Sequence, residues 1–261
     1  MIKLVVLGDP VSHSRSPAIH QAALRAAGIS GEYTARQVDG DGLRFAADEV
    51  RSATLTGANI TTPHKQMAAE LADRRSALVE RLGAANTWWR EPDGTLVAEN
   101  TDVAGVMYAF ELIGQGDSVV VLGAGGAAAA ALVAVDSAPG YVDLVVSTRN
   151  ERRARLLIEQ LDLAARFVPW GEPVDGAVVV NATRIGMSGE NLPDGLLAAA
   201  SGFIDMPYGD TATPAVAEAG RLGIPCSPGL DMLVGQAMAA FTIWTGVTAD
   251  LDAMLVAAHS A

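Results

Sequence analysis

The chain reads as an α/β protein of two domains built on parallel strands. Three observations predict this. Apolar runs alternate with helical patterns along nearly all 261 residues, the pattern of strands joined by crossover helices. The length exceeds that of a typical single domain. Past residue 117 the character changes, where the apolar run Ser118-Val119-Val120-Val121-Leu122 leads directly into Gly123-Ala124-Gly125-Gly126 and a stretch of alanines. The second half is therefore expected to be a doubly wound nucleotide-binding domain, over about residues 103–228.

The elements follow in order. Residues 2–8 form a buried strand, too short for a signal peptide. Residues 16–27 form a helix with Pro17 in its first turn. Strands near 32–38 and 55–60 flank a helix near 41–52, and helices near 64–72 and 75–82 come next. Two extended runs, 86–90 and 95–99, surround the turn Glu91-Pro92-Asp93-Gly94 and predict a hairpin. A long helix starts near Asp102, a residue type suited to a cap or a first turn. Strands near 118–122, 142–147, 177–182 and 202–205 alternate with helices, and two further helices follow Gly229.

Composition narrows the function. Half of the residues are hydrophobic and 18% are charged, which excludes a disordered chain. No apolar run reaches the ~18 residues of a membrane helix. Cys226 is the only cysteine, so one chain has neither a disulfide framework nor a thiolate metal site; a cytoplasmic location and no bound metal are expected. The net charge of −12 disfavours nucleic acid and anionic membranes. A site for phosphate or carboxylate must then be locally basic or built from backbone N–H groups. Only Lys3 and Lys65 are lysines, against sixteen arginines. Lysine is the basic residue suited to shuttling a proton, which draws attention to Lys65, although two lysines could equally survive by compositional drift.

The glycine loop between a buried strand and a helix of small residues has the context of a dinucleotide site. Glycine permits the tight turn and lets a pyrophosphate approach the helix N-terminus. An empty tight turn is the plainer alternative. NAD enzymes usually carry Asp or Glu about 20 residues on, at the end of the next strand. Here stand Ser147-Thr148-Arg149-Asn150, followed by Arg152 and Arg153. Guanidinium in place of carboxylate suits a 2′-phosphate, so NADP is expected over NAD, with Arg149 first and Arg153 second.

Three segments of the first domain concentrate small hydrogen-bonding groups beside strands: Ser12 to Pro17, Asn59 to Lys65, and Asn86-Thr87 with Asn100-Thr101-Asp102. Singly, each has an ordinary explanation as a helix cap or a strand exit. Together, in order and spacing, they resemble the shikimate dehydrogenases. The likeness runs through Ser14-Arg15-Ser16-Pro17, Gly57-Ala58-Asn59-Ile60-Thr61 with Pro63 and Lys65, Ala85-Asn86-Thr87 and Asn100-Thr101-Asp102. It continues through the Gly123 loop, Thr148-Arg149, Asn181-Ala182-Thr183 with Gly186-Met187, Asp205-Met206 with Tyr208, and Gly229, Met232-Leu233 and Gln236-Ala237.

The resemblance implies an NADP-dependent, reversible reduction of 3-dehydroshikimate to shikimate by a monomer or homodimer. It implies a substrate domain of residues 1–102 plus 229–261, with the last helices packing back on it, and a Rossmann-like NADP domain of 103–228. The cleft between them would hold the substrate, with a hinge near Asp102 and Gly229. Lys65 and Asp102 would be the catalytic pair. Ser14 and Ser16 would hold the substrate carboxylate, and Asn59, Thr61, Asn86, Tyr208 and Gln236 would bind ring hydroxyls or orient neighbours. Gly123, Gly125, Gly126 and Ala127 would carry the pyrophosphate, Thr148, Arg149 and Arg153 the adenosine phosphate, and Thr183, Met206 and Gly229 the nicotinamide half. His64, Arg184 and Pro207 depart from the family pattern. His64 is either a second proton carrier or a packing ring, and Arg184 offers another phosphate contact. A quinate/shikimate dehydrogenase is the nearest rival, and an NADP-sensing regulatory protein on the same scaffold a more distant one; the latter has no need for both Lys65 and Asp102.

Overall fold

Strand β1 (Ile2–Gly8) is buried from Leu4 onward and seeds the first sheet. The computed structural model describes residues 1–114, 116–138, 142–209 and 211–261. They divide into two compact units, Met1–Asp102 with Gln236–Ala261, and Val103–Gly235.

In the first unit, helix α1 (Ser16–Ala26) leads to β2 (Gly31–Gln37), α2 (Gly40–Arg51) to β3 (Gly57–Ile60), and α3 (Lys65–Leu71) to the two-residue β4 (Arg74–Arg75). Then come α4 (Ala77–Leu82), β5 (Thr87–Arg90) and β6 (Leu96–Glu99). Capping follows sequence: Asp39 accepts the Gly42 N–H ahead of α2, and Ser76 accepts the Val79 N–H ahead of α4. The sheet order is β2-β1-β3-β5-β6-β4. β1 pairs in parallel with β2 and β3, but β5 is antiparallel to both β3 and β6. The sheet is therefore mixed, which corrects the parallel expectation. The cause is the hairpin itself, closed at Gly94 with a φ of +98°, since a tight turn joins only antiparallel strands.

A core of Val5, Leu7, Leu43, Ile60, Val79, Trp88 and Leu96 fills one face of this sheet. Of the Trp88-Trp89 pair, Trp88 is fully buried and its indole N–H donates to the Ala68 carbonyl at 3.0 Å. The C-terminal helices close the other face. The indole of Trp244, on α9 (Gly229–Thr245), donates to the Trp88 carbonyl at 2.9 Å. It also flanks His20, which stacks on Tyr33 with centroids 4.4 Å apart. Arg15 reaches the Ala258 carbonyl of α10 (Leu251–Ser260) at 2.7 Å. The expectation that the last helices pack back on the first unit holds.

In the second unit, α5 (Asp102–Ile113) precedes β7 (Ser118–Leu122), α6 (Gly126–Asp136), β8 (Asp143–Ser147), α7 (Glu151–Gln160) and β9 (Arg166–Val168). The chain then returns through β10 (Val178–Asn181), β11 (Gly202–Asp205), α8 (Pro214–Leu222) and β12 (Cys226–Ser227). The order β12-β11-β10-β7-β8-β9 is parallel at every pair. This is the doubly wound order, reversing between β7 and β10, where such sheets bind ligands beyond the strand C-termini. The two- and three-residue strands β4, β9 and β12 were not anticipated; runs so short carry no periodicity to read.

Gly57 carries the packing of the first unit at close quarters. A Cβ there would lie 2.2 Å from Trp244 Nε1 and 2.7 Å from the Trp88 carbonyl. Gly57→Ala is expected to cost about 1–3 kcal/mol or more in stability through overpacking, measured as a lower denaturant midpoint, whereas Gly125→Ala, with open space around it, leaves the midpoint nearly unchanged.

Candidate active site

The mixed sheet decides which segments meet. β1 and β3 are parallel neighbours, so the segments leaving their C-terminal ends share one end of the sheet. There the Asp9 N–H donates to the Thr62 carbonyl at 3.0 Å. Because β5 runs the other way, its first residues arrive at that same end, with Thr87 opposite Asn59. β6 reverses again, and Glu99, opposite Thr87, delivers Asn100-Thr101-Asp102. All three segments singled out from sequence thus emerge along one edge.

Lys65 opens α3, and its Nζ donates to Asp102 Oδ2 at 2.5 Å. The lysine side chain keeps 28% of its exposure and the carboxylate 11%, so the pair is partly sheltered yet reachable. Asp102 Oδ1 accepts from Asn86 Nδ2 at 2.8 Å. The Asn86 Oδ1 in turn accepts the Thr101 N–H at 2.7 Å and the Thr87 hydroxyl at 3.0 Å. From sequence, Asp102 suits either a cap or one half of a pair. Its own N–H is capped by Asn100 Oδ1 at 3.0 Å, which frees its carboxylate for Lys65 and Asn86.

The remaining expected residues divide. Gln236 is buried and its Oε1 accepts from the Thr101 hydroxyl at 3.3 Å. Asn59 is buried with its amide engaged: Oδ1 accepts the Tyr33 hydroxyl at 2.6 Å, and Nδ2 donates to the Asn86 carbonyl and the Thr87 hydroxyl. Both N–H bonds of that amide are used internally, which suits orienting a neighbour better than donating to a ligand. Ser14 is half-buried, and its Oγ accepts the Ser16 N–H at 3.3 Å. Arg15 is the N-cap of α1 and makes no side-chain cap bond, so Ser14 serves the N–H of the helix's first residue in its place. Thr61 is half-buried, its methyl lying where a Cβ at Gly8 would come within 2.4 Å.

His64 points away from the Lys65–Asp102 pair to another partner. It is buried, and its Nε2 lies 2.8 Å from the Val38 carbonyl, so the ring donates there and fastens the turn before Lys65. His20 has no hydrogen-bond partner on either ring nitrogen among the described residues. Burial pushes its pKa down to about 3, opposed by the Asn59 side chain, and the ring is neutral.

In the second unit, Gly123 has a φ of +118° and its N–H donates to the Ser147 carbonyl at 3.1 Å. A Cβ at Gly125 or Gly126 would meet nothing within 4 Å. Packing does not require those glycines, so the bare backbone leaves room over the N-terminus of α6, whose first turn has no acidic residue. Ala127 is exposed beside them. This cradle fits a pyrophosphate. Thr148 Oγ1 accepts the Asn150 N–H, and Asn150 caps α7 by accepting the Arg153 N–H. Arg149 is exposed, and its guanidinium lies over the Trp170 ring, 5.4 Å from the centroid.

The loops after β10 and β11 hang on one buried chain of hydrogen bonds. Thr213 donates to Asp205 Oδ2, Asn181 Nδ2 donates to Asp205 Oδ1 at 2.7 Å, and the Thr183 hydroxyl donates to Asn181 Oδ1 at 2.6 Å. The Met206 N–H donates to the Asn181 carbonyl. Gly229 faces the Met206 and Pro207 carbonyls, and a Cβ there would come within 2.7 and 2.4 Å of them. Tyr208 is half-buried and Arg184 exposed. Burial, with Asp205 and Asp231, pushes the Cys226 thiol up to about 12, which leaves it inert. Among the described residues no group of three or more His, Cys, Asp or Glu could hold a metal ion, and no helix is long and apolar enough to cross a membrane.

Comparison with known proteins agrees with the fold of both units. Residues 6–88 match the model of the shikimate dehydrogenase substrate binding domain, and residues 229–258 that of the shikimate 5′-dehydrogenase C-terminal domain. A shikimate dehydrogenase (NADP(+)) of Paracidovorax citrulli is 40% identical over 257 residues, 93% of this chain and 91% of its own. The chain belongs to the shikimate dehydrogenase family. Among solved members of the family, shikimate 5-dehydrogenase of Thermus thermophilus in complex with NADP(H) and shikimate superposes with a TM-score of 0.90. It shares 36% identity, and the match covers 100% of this chain and 99% of that one. The Mycobacterium tuberculosis shikimate dehydrogenase gives a TM-score of 0.85 at 31% identity, over the whole of both chains.

In this shikimate dehydrogenase family member, sequence reasoning gave no role to Trp170 and Thr213, which hold others in place. Neither stands in a recognisable motif: Trp170 meets Arg149 across paired strands, and Thr213 meets Asp205 across a loop. Asp205 has a consequence of its own. Burial raises its carboxyl from 3.8 to about 6, against the opposing hydrogen bonds of Thr213 and Asn181. The folded state then binds a proton more readily than the unfolded one. Stability is highest below 3.8 for this group and falls as pH rises toward about 6. Asp205→Asn is expected to remove a loss of very roughly 2–3 kcal/mol across that window, read from denaturation midpoints at pH 4 and pH 7.

Proposed function

We propose that this chain is an NADP-dependent shikimate dehydrogenase that reversibly reduces the ketone of 3-dehydroshikimate to the hydroxyl of shikimate. The observation that carries the reading is the Lys65–Asp102 pair, closed at 2.5 Å and held by Asn86, in a chain 40% identical to an enzyme of that name. NADPH, when bound, supplies the hydride.

The chain's own residues handle charge and position. Reduction of the ketone leaves negative charge on its oxygen, and the Lys65 ammonium is the group to protonate it. In the reverse direction the Lys65 amine takes the hydroxyl proton, a general acid–base role worth about 10²–10⁴ in rate. Asp102 fixes Nζ and balances its charge, and Asn86 keeps Asp102 from rotating away. The hydroxyls of Ser14 and Ser16 take the substrate carboxylate. Thr61, Gln236 and Tyr208 take ring hydroxyls, and Asn59 keeps Asn86 and Thr87 in register.

For the cofactor, Gly123, Gly125, Gly126 and Ala127 present backbone N–H groups to the pyrophosphate. Thr148, Arg149 and Arg153 receive the adenosine phosphate, and Thr183, Met206 and Gly229 border the nicotinamide half. Anion binding through N–H groups and a few guanidinium groups is what a chain of net charge −12 requires.

Two measurements test the reading. Lys65→Ala should lower turnover of shikimate with NADP by at least about 100-fold with little change in substrate affinity; a variant within a few-fold of wild type would refute the role. Arg149→Ala should raise KM for NADP by about tenfold or more while leaving any turnover with NAD unaltered, since a charge-assisted bond to phosphate is worth about 1.5–3 kcal/mol. Equal effects on both cofactors would remove the assignment.

A further inference from the structure

The geometry points to Trp170 as a specificity-determining positioning residue that holds the Arg149 guanidinium ready for a phosphate monoester on the cofactor's ribose. The inference rests on the proposed NADP reading and names what sets it up.

Register brings the two residues together. β8 and β9 are parallel, with Ser147 opposite Val168. Two residues beyond each strand end stand Arg149 and Trp170, which therefore emerge side by side. A second device fixes the turn that carries the indole. The fully buried Ser147 hydroxyl donates to the Pro169 carbonyl at 3.0 Å and accepts the Gly171 N–H at 3.0 Å. Both ends of the Pro169–Gly171 turn are thereby tied to the strand that ends just before Arg149. Gly171 has a φ of +78°, and a Cβ on it would lie 2.5 Å from Pro193 Cβ. The turn is pressed against Pro193 and admits only glycine at its third position.

Arg149 and Trp170 line one cavity of about 430 Å³ whose wall also carries Pro193 and two carboxylates, Glu190 and Asp194. Arg149 supplies its positive charge. The Glu190 carboxylate, also on its wall, accepts the Gly186 and Ser188 N–H groups at 3.1 and 3.0 Å and is committed to its own loop. An exposed arginine ordinarily samples many rotamers, and ordering it on binding costs entropy. Resting on an indole face at 5.4 Å, the guanidinium is already localised, and its N–H groups remain available at its edge. The indole thus favours the phosphorylated ribose through Arg149, without touching the phosphate.

The test titrates adenosine 2′,5′-bisphosphate and adenosine 5′-diphosphate into the full-length protein by calorimetry. Wild type is expected to prefer the 2′-phosphate. Trp170→Leu should lose about two- to fivefold of that preference, the worth of an exposed cation–π contact, with the 5′-diphosphate affinity unchanged. Trp170→Phe, which keeps an aromatic face and serves if the leucine variant folds poorly, should retain most of it. In an Arg149→Ala background, Trp170→Leu should change nothing further. An unchanged preference in Trp170→Leu overturns the inference. So does an equal loss for both nucleotides, which would put the ring against the base, or the same loss with Arg149 absent. A wild type with no preference at all would remove the NADP reading itself, and this inference with it.

Discussion

One side-chain amide holds the chemistry of the first unit together. Asn86 joins three stretches of chain at once: its Nδ2 holds Asp102, its Oδ1 holds Thr101 and Thr87, and its backbone carbonyl takes the Ile60 N–H and the Asn59 amide. A buried amide with donor and acceptor both engaged has one orientation, because rotation by half a turn would set like against like. That orientation decides which oxygen of Asp102 is left for Lys65. The ion pair is therefore a result of the network, and the network is a result of how the sheet is threaded.

The threading is the second constraint. Were β5 parallel to β3, its first residues would lie at the far end of the sheet, and Asn86 could meet neither Lys65 nor Asp102. The hairpin closed at Gly94 reverses the direction once within thirteen residues, from Thr87 to Glu99. It brings both ends of the β5–β6 ribbon to the edge where β1 and β3 also end. Loops can then stay short, and short loops hold their side chains in place.

The second unit solves a different problem with similar means. A protein of net charge −12 cannot attract anions with its overall field, and its glycine loop offers N–H groups in place of cations. Behind that loop, the buried chain Thr213–Asp205–Asn181–Thr183 positions the loops after β10 and β11. It does so at an electrostatic cost seen in the raised Asp205 carboxyl, the usual consequence of burying an acid without a cationic partner. Arg149, by contrast, stays exposed and is steadied by an aromatic face.

Much of this was legible from residues alone. Strand and helix periods, the turn at Glu91–Gly94, the strand–glycine–helix passage at 118–126 and the Arg149 position follow from local rules that act within a few residues of chain. The motif residues Lys65, Asn86 and Asp102 were legible as candidates, and Asp102 carried an open choice between cap and partner. Tertiary structure spends both of the Asp102 carboxylate oxygens on Lys65 and Asn86, far from it in the chain. It likewise turned His64 into a fastener of its loop, engaged both N–H bonds of Asn59, and set Trp170 beside Arg149. Such outcomes depend on which distant groups compete for one donor or acceptor, and competition is resolved only when the strands have paired and their register is set.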